Sequence, residues 1–429
     1  MTDSLGYVEA LRRFSRNAKL YLVHIVGMDV IHGTWEVIFN LYLLELGFSI
    51  KFIGFRLLAM GIARVMAAVP AGWVSDRVGR KWGFIIGDGG GALMALIQIM
   101  ATVPAVLLVA PAIQAAFGAL HHVTESPFMA ENSEPGERIH LFSVGSGMRT
   151  LAAMAGALIA GFAPSWLAVT LDISRISAFR WATMLGIAGW FLSLIPAVML
   201  RPYTSREVAE AMEEPASRPG LFGGIRSLAT IRKFLVVTAL IALGGGFTLR
   251  LANVFFQEGV HAAEYEIGLT FAAGSLFLAA AAFMAPFIET RWGKVRSIAF
   301  SRLAAVPFIV VIGLAPSLAT PTAVMSLAGA AFVLRTTLFN MSGPIYEAFS
   351  MELLHPGERA TFTGLETLIG GGLAAVGGWL GAGLMDGGDF GSPWLIMAAF
   401  YLVSVAVFWA YFRDHARPGA RLAGAGAAG

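Results

Sequence analysis

The chain has 429 residues, of which 57% are hydrophobic and 13% charged, and a formal net charge of +3. Its mean hydropathy is +0.72. A soluble protein usually carries about 25% charged residues, and the apolar runs here recur along the whole length, so neither a soluble domain nor a domain on a single anchor fits. The basic residues are spread over short loops, so no nucleic-acid partner is expected. The absence of cysteine excludes disulfides and thiolate metal sites.

The first apolar run follows Arg12, Arg13, Arg16 and Lys19 and carries Asp29 and Glu36. At roughly 27 residues it is too long and too polar for a signal-peptide core, and reads as a retained span behind a cytosolic N-terminus. A span needs about 20 apolar residues. Twelve are expected, over 20–46, 51–74, 82–101, 104–126, 140–165, 179–200, 233–257, 266–288, 298–316, 322–349, 361–384 and 393–412. The longest connection, 202–232, holds Pro202, Pro215, Pro219, Gly223 and Gly224 and reads as a linker, with 205–214 as a short surface helix. The expected organisation is a six-helix half over 1–201, a cytosolic linker over 202–232, a second six-helix half over 233–413 and a disordered Ala/Gly-rich tail over 414–429. With the N-terminus inside, the inner segments hold about 21 Lys and Arg. The outer loops hold about 3, namely Lys51, Arg175 and Arg180. That asymmetry places both termini and the linker in the cytosol.

An internal repeat relates the halves. Glu134-Pro135-Gly136-Glu137-Arg138 recurs as His355-Pro356-Gly357-Glu358-Arg359, a shift of 221 residues that also carries Gly47 onto Gly268. At a shift of 214, Arg77-Val78-Gly79-Arg80 falls on Arg291-Trp292-Gly293-Lys294. Two related halves in one chain argue for a parallel pseudo-twofold layout.

The turn Gly72-Trp73-Val74-Ser75-Asp76-Arg77-Val78-Gly79-Arg80-Lys81 resembles the G-x-x-x-D-R-x-G-R-[RK] loop of the major facilitator superfamily. It stands between spans two and three, where that family has it. The stretches 40–54 and 131–144 look similar to bacterial members of unassigned or drug-export type. The resemblance implies an all-α membrane protein of twelve transmembrane helices in two pseudo-twofold six-helix halves. It implies a gate in which Asp76 meets the N-terminal end of the eleventh helix, where the dipole is positive. Gly72 and Gly79 would permit close approach and a tight turn, Arg77, Arg80 and Lys81 would meet inner-surface acids and headgroups, and Arg291, Gly293 and Lys294 are a weaker second copy. The sequence departs from the drug exporters at two points. Pro111 stands where their fourth span carries Arg three residues before Gln114, and 156–161 has glycines but no Gly-Pro step.

Ionisable residues inside spans are functional candidates by default. Asp29, His32 and Glu36 recur at helical spacing on one face, with Asn40 beyond. The 221 shift carries them onto Arg250, Asn253 and Gln257, and carries Gln114 onto Arg335. The 214 shift carries Asp88 onto Arg302. A polar cavity with acids on one wall and arginines on the other is expected, with Arg64, Arg149, Glu347 and Glu366 adding to it. Two readings stay open for Asp29, Glu36, Arg250 and Arg335: a proton and substrate site, or ion pairs joining the halves. The same two readings stay open for Asp88 and Arg302, where a position nearer the cytosolic ends favours the structural one. His121 and Glu125 extend a proton path or cap a helix. Asp29 with His32 supplies too few ligands for a metal, and no metal or cofactor is expected. The expected activity is proton-coupled transport of a small organic solute, with export favoured over uptake or uniport of an anionic or polar metabolite. A membrane enzyme or receptor is the remote alternative, and the chain is expected to act as a monomer in the lipid bilayer.

Overall fold

The computed structural model describes residues 7–201, 226–320, 323–355 and 358–416, and every regular element among them is helical. A short amphipathic segment, α1 (Tyr7–Arg13), precedes α2 (Arg16–Glu45), α3 (Ile50–Val78), α4 (Arg80–Met100), α5 (Pro104–Glu131), α6 (Pro135–Leu171) and α7 (Arg175–Val198). After the linker region come α8 (Leu228–Leu249), α9 (Glu264–Trp292), α10 (Lys294–Leu318), α11 (Val324–Asn340), α12 (Gly343–Leu353), α13 (Arg359–Asp386) and α14 (Ser392–Phe412). Among the described residues eleven helical stretches are long and apolar enough to cross a membrane. The eighth expected span coincides with α9, a helix of 29 residues that holds no charged residue from Gly268 to Ala285.

The helices begin where the sequence offers a cap. Ser15, Ser49 and Ser174 accept hydrogen bonds from the amides of Ala18, Phe52 and Ser177, which closes the open N-terminal turns of α2, α3 and α7. Pro104 and Pro135 occupy first turns, where the missing N–H costs nothing. Two expected spans prove to be interrupted. The seventh stops at Leu249, and the chain continues through a turn at Ala252–Val254 and a π-turn at Phe255–Gly259. The tenth breaks between Asn340 and Gly343, because Pro344 cannot donate to the preceding turn and starts a new helix instead. Helix α8 also begins inside the expected linker, at Leu228. The rest of the linker, including the surface helix at 205–214, and the tail beyond 416 lie outside the described residues.

The chain divides into two compact units, Met1–Ser217 with Phe256–Leu276, and Arg218–Phe255 with Phe277–Gly429. In the first, α2 packs on α6 and α7, while α5 packs on α3 and α4. Backbones touch where α2 meets α6: a Cβ on Gly156 would lie 2.0 Å from the carbonyl oxygen of Val30. In the second, α8 packs on α13 and α14, and α10 on α11 and α14. Here a Cβ on Gly377 would lie 2.4 Å from the carbonyl oxygen of Leu243. The 221 shift carries Gly156 onto Gly377. Each unit therefore seats its closest helix pair on the same repeat position, as expected where lipid gives helices no hydrophobic reason to associate and small residues let backbones approach. Aromatic cores fill the ends, with Tyr21, Phe84 and Phe128 in the first unit and Phe234, Phe349, Phe362, Phe408 and Phe412 in the second.

Candidate functional site

The charged turn is a helix break one residue long. Gly79, at φ 81° and ψ 159°, separates α3 from α4, a conformation closed to residues with a Cβ. Gly293, at φ 77° and ψ 162°, separates α9 from α10 in the same way. The side chains repeat as well. Arg80 donates to Glu131 at 3.1 Å, and also to Ser75 and Asp76. Lys294 pairs with Glu352, and with Glu289 at 3.7 Å. The 221 shift carries Glu131 onto Glu352, so one basic–acidic clasp occurs in both units. Asp76 is otherwise exposed, Arg77 stacks 3.8 Å over Trp73, Lys81 is half-buried, Gly72 has open space around it and Arg291 is exposed.

A buried polar chain crosses the first unit. Asp88 of α4 is 1% exposed, and its Oδ2 lies 2.9 Å from His24 Nε2 of α2 and 2.9 Å from His121 Nδ1 of α5. His24 Nδ1 lies 2.7 Å from the carbonyl oxygen of Ser193 on α7. Glycines make the convergence possible: a Cβ on Gly87 would press on the backbone of α5, and one on Gly27 on the backbone of α7. Beyond His121 stands Glu125, held by Arg149, which also donates to Tyr21. Within its own unit Asp88 therefore meets two histidines. A second buried run joins Arg56 to Gln98 at 2.7 Å and Gln98 to Gln114 at 2.6 Å. Arg56 is 2% exposed and stacks on Phe39.

The second unit carries buried arginines. The guanidinium carbons of Arg302 and Arg335 lie 5.3 and 5.4 Å from the centre of one ring, Phe339. Arg302 donates to the Ser342 hydroxyl at 3.1 Å and Arg335 to the Tyr401 hydroxyl at 3.0 Å. Arg302 Nη1 and Arg335 Nε are buried without a hydrogen-bond partner. Among the described residues neither arginine enters a salt bridge. The shifts of 214 and 221 carry Asp88 onto Arg302 and His121 onto Ser342, so a hydrogen bond at the same repeat position has changed from acid–histidine to arginine–serine.

The remaining expected residues are spread out. Asp29 is buried, with Oδ1 3.4 Å from His32 Nδ1 and Oδ2 without a partner, while His32 and Glu36 are exposed. Arg64 is half-buried, and Arg250 caps the end of α8 and is exposed rather than inside a helix. Asn253 is buried and accepts from the Val254 amide, and Gln257 Oε1 is buried without a partner. Sequence reasoning missed His24, Arg56 and Gln98. The signal was present, since each is a lone polar residue in an apolar run, but none shares the Asp29 face or the repeat shifts.

The Major Facilitator Superfamily sequence model matches residues 31–378. No curated protein matches the chain significantly. Among solved structures, the nucleoside transporter NupG superposes with a TM-score of 0.73 at 15% identity, over 93% of this chain and 99% of that one. A bacterial homologue of the iron transporter ferroportin, in an inward-facing state, gives 0.71 at 15% identity, over 92% and 98%. A bacterial metal transporter gives 0.66 at 14% identity, over 93% and 99%. At such identities the likeness is one of fold. The family match spans well over half of the chain, and with it the helical fold has one assignment: this chain belongs to the Major Facilitator Superfamily, as a multi-pass membrane transporter rather than an enzyme.

Proposed function

We propose that the solute is a small anionic or otherwise polar metabolite, taken up by symport or uniport. One observation carries this reading: Arg302 and Arg335 are buried over one ring, with donors unfilled and no carboxylate paired to them. Burying a charge without a partner is costly, and a second like charge nearby raises the cost. An anionic group on the solute would fill both sets of donors, and the planar guanidinium suits carboxylate and phosphate. The solved neighbour NupG is named for a nucleoside, which is a polar cargo. The export reading loses its support in Pro111 and in the absent Gly-Pro step.

Around this core stands the fuller reading from the sequence: twelve spans in two six-helix halves, termini in the cytosol, and the 72–81 turn as a cytosolic gate. A stabilisation screen of the purified protein against mono- and dicarboxylates, phosphate esters, neutral sugars and amines tests the solute class. A ligand at about 100 times its Kd adds about 2.7 kcal/mol, which is readable as a rise in melting temperature. Stabilisation by amines or neutral sugars alone would sink the anion reading.

A further inference from the structure

The triad of His24, Asp88 and His121 belongs to neither the gate nor the arginine pair. Its hydrogen bonds fix a proton count. The Ser193 carbonyl only accepts, so His24 Nδ1 carries hydrogen. The other nitrogen, Nε2, faces Asp88 Oδ2 at 2.9 Å. With Asp88 ionised and His24 neutral, a nitrogen lone pair would point at a carboxylate lone pair. One added proton, on His24 Nε2, turns that clash into a hydrogen bond to the ionised carboxylate. His121 meets the same oxygen through Nδ1, also at 2.9 Å, and donates from there as a neutral imidazole. The total charge of the three groups then falls from −1 to zero, which a buried site favours.

We propose that the His24–Asp88–His121 triad binds one exchangeable proton and is the proton station of the first unit. The proton has a route in. His121 Nε2 is buried without a hydrogen-bond partner, 3.9 Å from Glu125 Oε2, and the Glu125 and Arg149 side chains are 16% and 25% exposed. A proton delivered at Nε2 frees the Nδ1 proton to Asp88 Oδ2 and on to His24 Nε2, and the His121 ring then turns to present its protonated nitrogen to the same oxygen. The other ionisable groups acting on the triad are Tyr21 and Asp29 on α2 and His122 and Glu125 on α5, with Arg149 of α6 on Glu125 and with His32 of α2 and Arg64 of α3 reaching His122. Glu125 and Arg149 cancel each other as a pair. A divalent cation is the competing occupant, because the donor atoms lie within 4.8 Å of one another. Three ligand atoms fall short of the coordination that such ions take, and the two histidines already engage the carboxylate oxygen directly.

The proposal rests on the transporter reading only for what the proton is used for, so its test needs no solute. Full-length protein carrying 15N-histidine is examined by NMR at about pH 7, with His24→Gln and His121→Gln to assign the signals. The expected spectrum has one imidazole protonated on both nitrogens, lost in His24→Gln. Raising the pH removes that proton in a single step felt by both His24 and His121. In Asp88→Asn the amide N–H donates to His24 Nε2, so the protein keeps the hydrogen bond and the doubly protonated signal disappears. A neutral His24 in the wild-type spectrum overturns the proposal, and that spectrum decides even where a variant fails to fold. Two histidines titrating independently overturn it as well. Added Zn2+ or Mn2+ that shifts both signals in the wild type and neither in Asp88→Asn would give the site to a cation. Any of these results leaves the anion reading of the second unit standing, and failure of the anion screen leaves the spectrum unchanged.

Discussion

Arg335 is 3% exposed and Arg302 5%, and neither has a salt-bridge partner among the described residues. A charge in that position lowers stability unless something else requires it. Two opposite signs therefore separate a binding role from a structural one. Arg335→Met keeps the length of the side chain and removes the charge. If the arginine waits for an anion, the empty variant melts higher than the wild type, by the equivalent of about 1 kcal/mol or more, and anions no longer raise its melting temperature. If the arginine only holds Tyr401, the variant melts lower, having lost its hydrogen bond at 3.0 Å. Thermal unfolding with and without the stabilising anion reads both. The pairing of Arg335 with Gln114 through the repeat made this residue legible in the sequence. A sequence states that two charges occupy related positions, but it does not state which side chains reach them. His24 shows the same limit more sharply. It sits 64 residues from Asp88 and 169 from Ser193, and no spacing rule connects positions on three different helices.

At the scale of elements, backbone approach sets the design of each unit. The α2–α6 contact at Gly156 and the α8–α13 contact at Gly377 leave no space for a Cβ, since the nearest atoms are backbone and cannot swing aside. Gly156→Val or Gly377→Val must push a helix outward, at a cost of about 1–3 kcal/mol for overpacking and with loss of any motion that needs those helices to slide. Lower melting temperature and reduced solute flux in both variants are expected, while Gly118→Ala, which has open space around it, leaves both unchanged. The recurring Pro-Gly-Glu-Arg segment turns out to be a capping device with two targets. Glu137 reaches back to the amide of Glu134 at the start of its own helix. Glu358 instead accepts from the amides of Arg226 and Ser227, ahead of α8. Burial opposes its charge, but those amides outweigh it and hold the Glu358 carboxyl below the usual carboxylate range. The group therefore contributes stability above the ordinary carboxylate pKa and loses it as pH falls through its lower folded value. Melting of the wild type and of Glu358→Gln should converge on acidification and differ at neutral pH. Most helix limits were legible because Ser, Pro and Gly punctuate them. The breaks at Arg250 and at Gly343 were not, because hydropathy runs through both without a change, and a single proline inside an apolar run permits a kink as readily as a new helix.

For the whole molecule, the open question is one of parity, and α9 decides it. Among the described residues eleven helical stretches meet the requirements of a span, and α9, 29 residues long with no charged residue from Gly268 to Ala285, is the candidate for the twelfth. Each span reverses the side on which the next turn emerges. If α9 crosses, the turn at Gly293 emerges on the same side as the turn at Gly79. If it does not, the two turns face opposite compartments. Charge favours crossing. Arg291, Lys294 and Arg296 flank the Gly293 turn, as Arg77, Arg80 and Lys81 flank the Gly79 turn, and basic loops stay in the cytosol. The matching backbone at Gly79 and Gly293 and the matching clasps, Arg80 with Glu131 and Lys294 with Glu352, add a structural reason to treat the two turns alike. The lack of cysteine makes the test direct, because a single introduced thiol is then the only one in the chain. Val78 and Trp292 are 37% and 48% exposed and lie beside the two turns. In sealed inside-out vesicles, a membrane-impermeant maleimide should label both Val78→Cys and Trp292→Cys. In right-side-out vesicles it should label neither, while Ser174→Cys, at the opposite end of α6, is labelled there. Labelling of Val78→Cys and Trp292→Cys from opposite sides would remove α9 from the membrane and, with it, the even span count on which two six-helix halves depend.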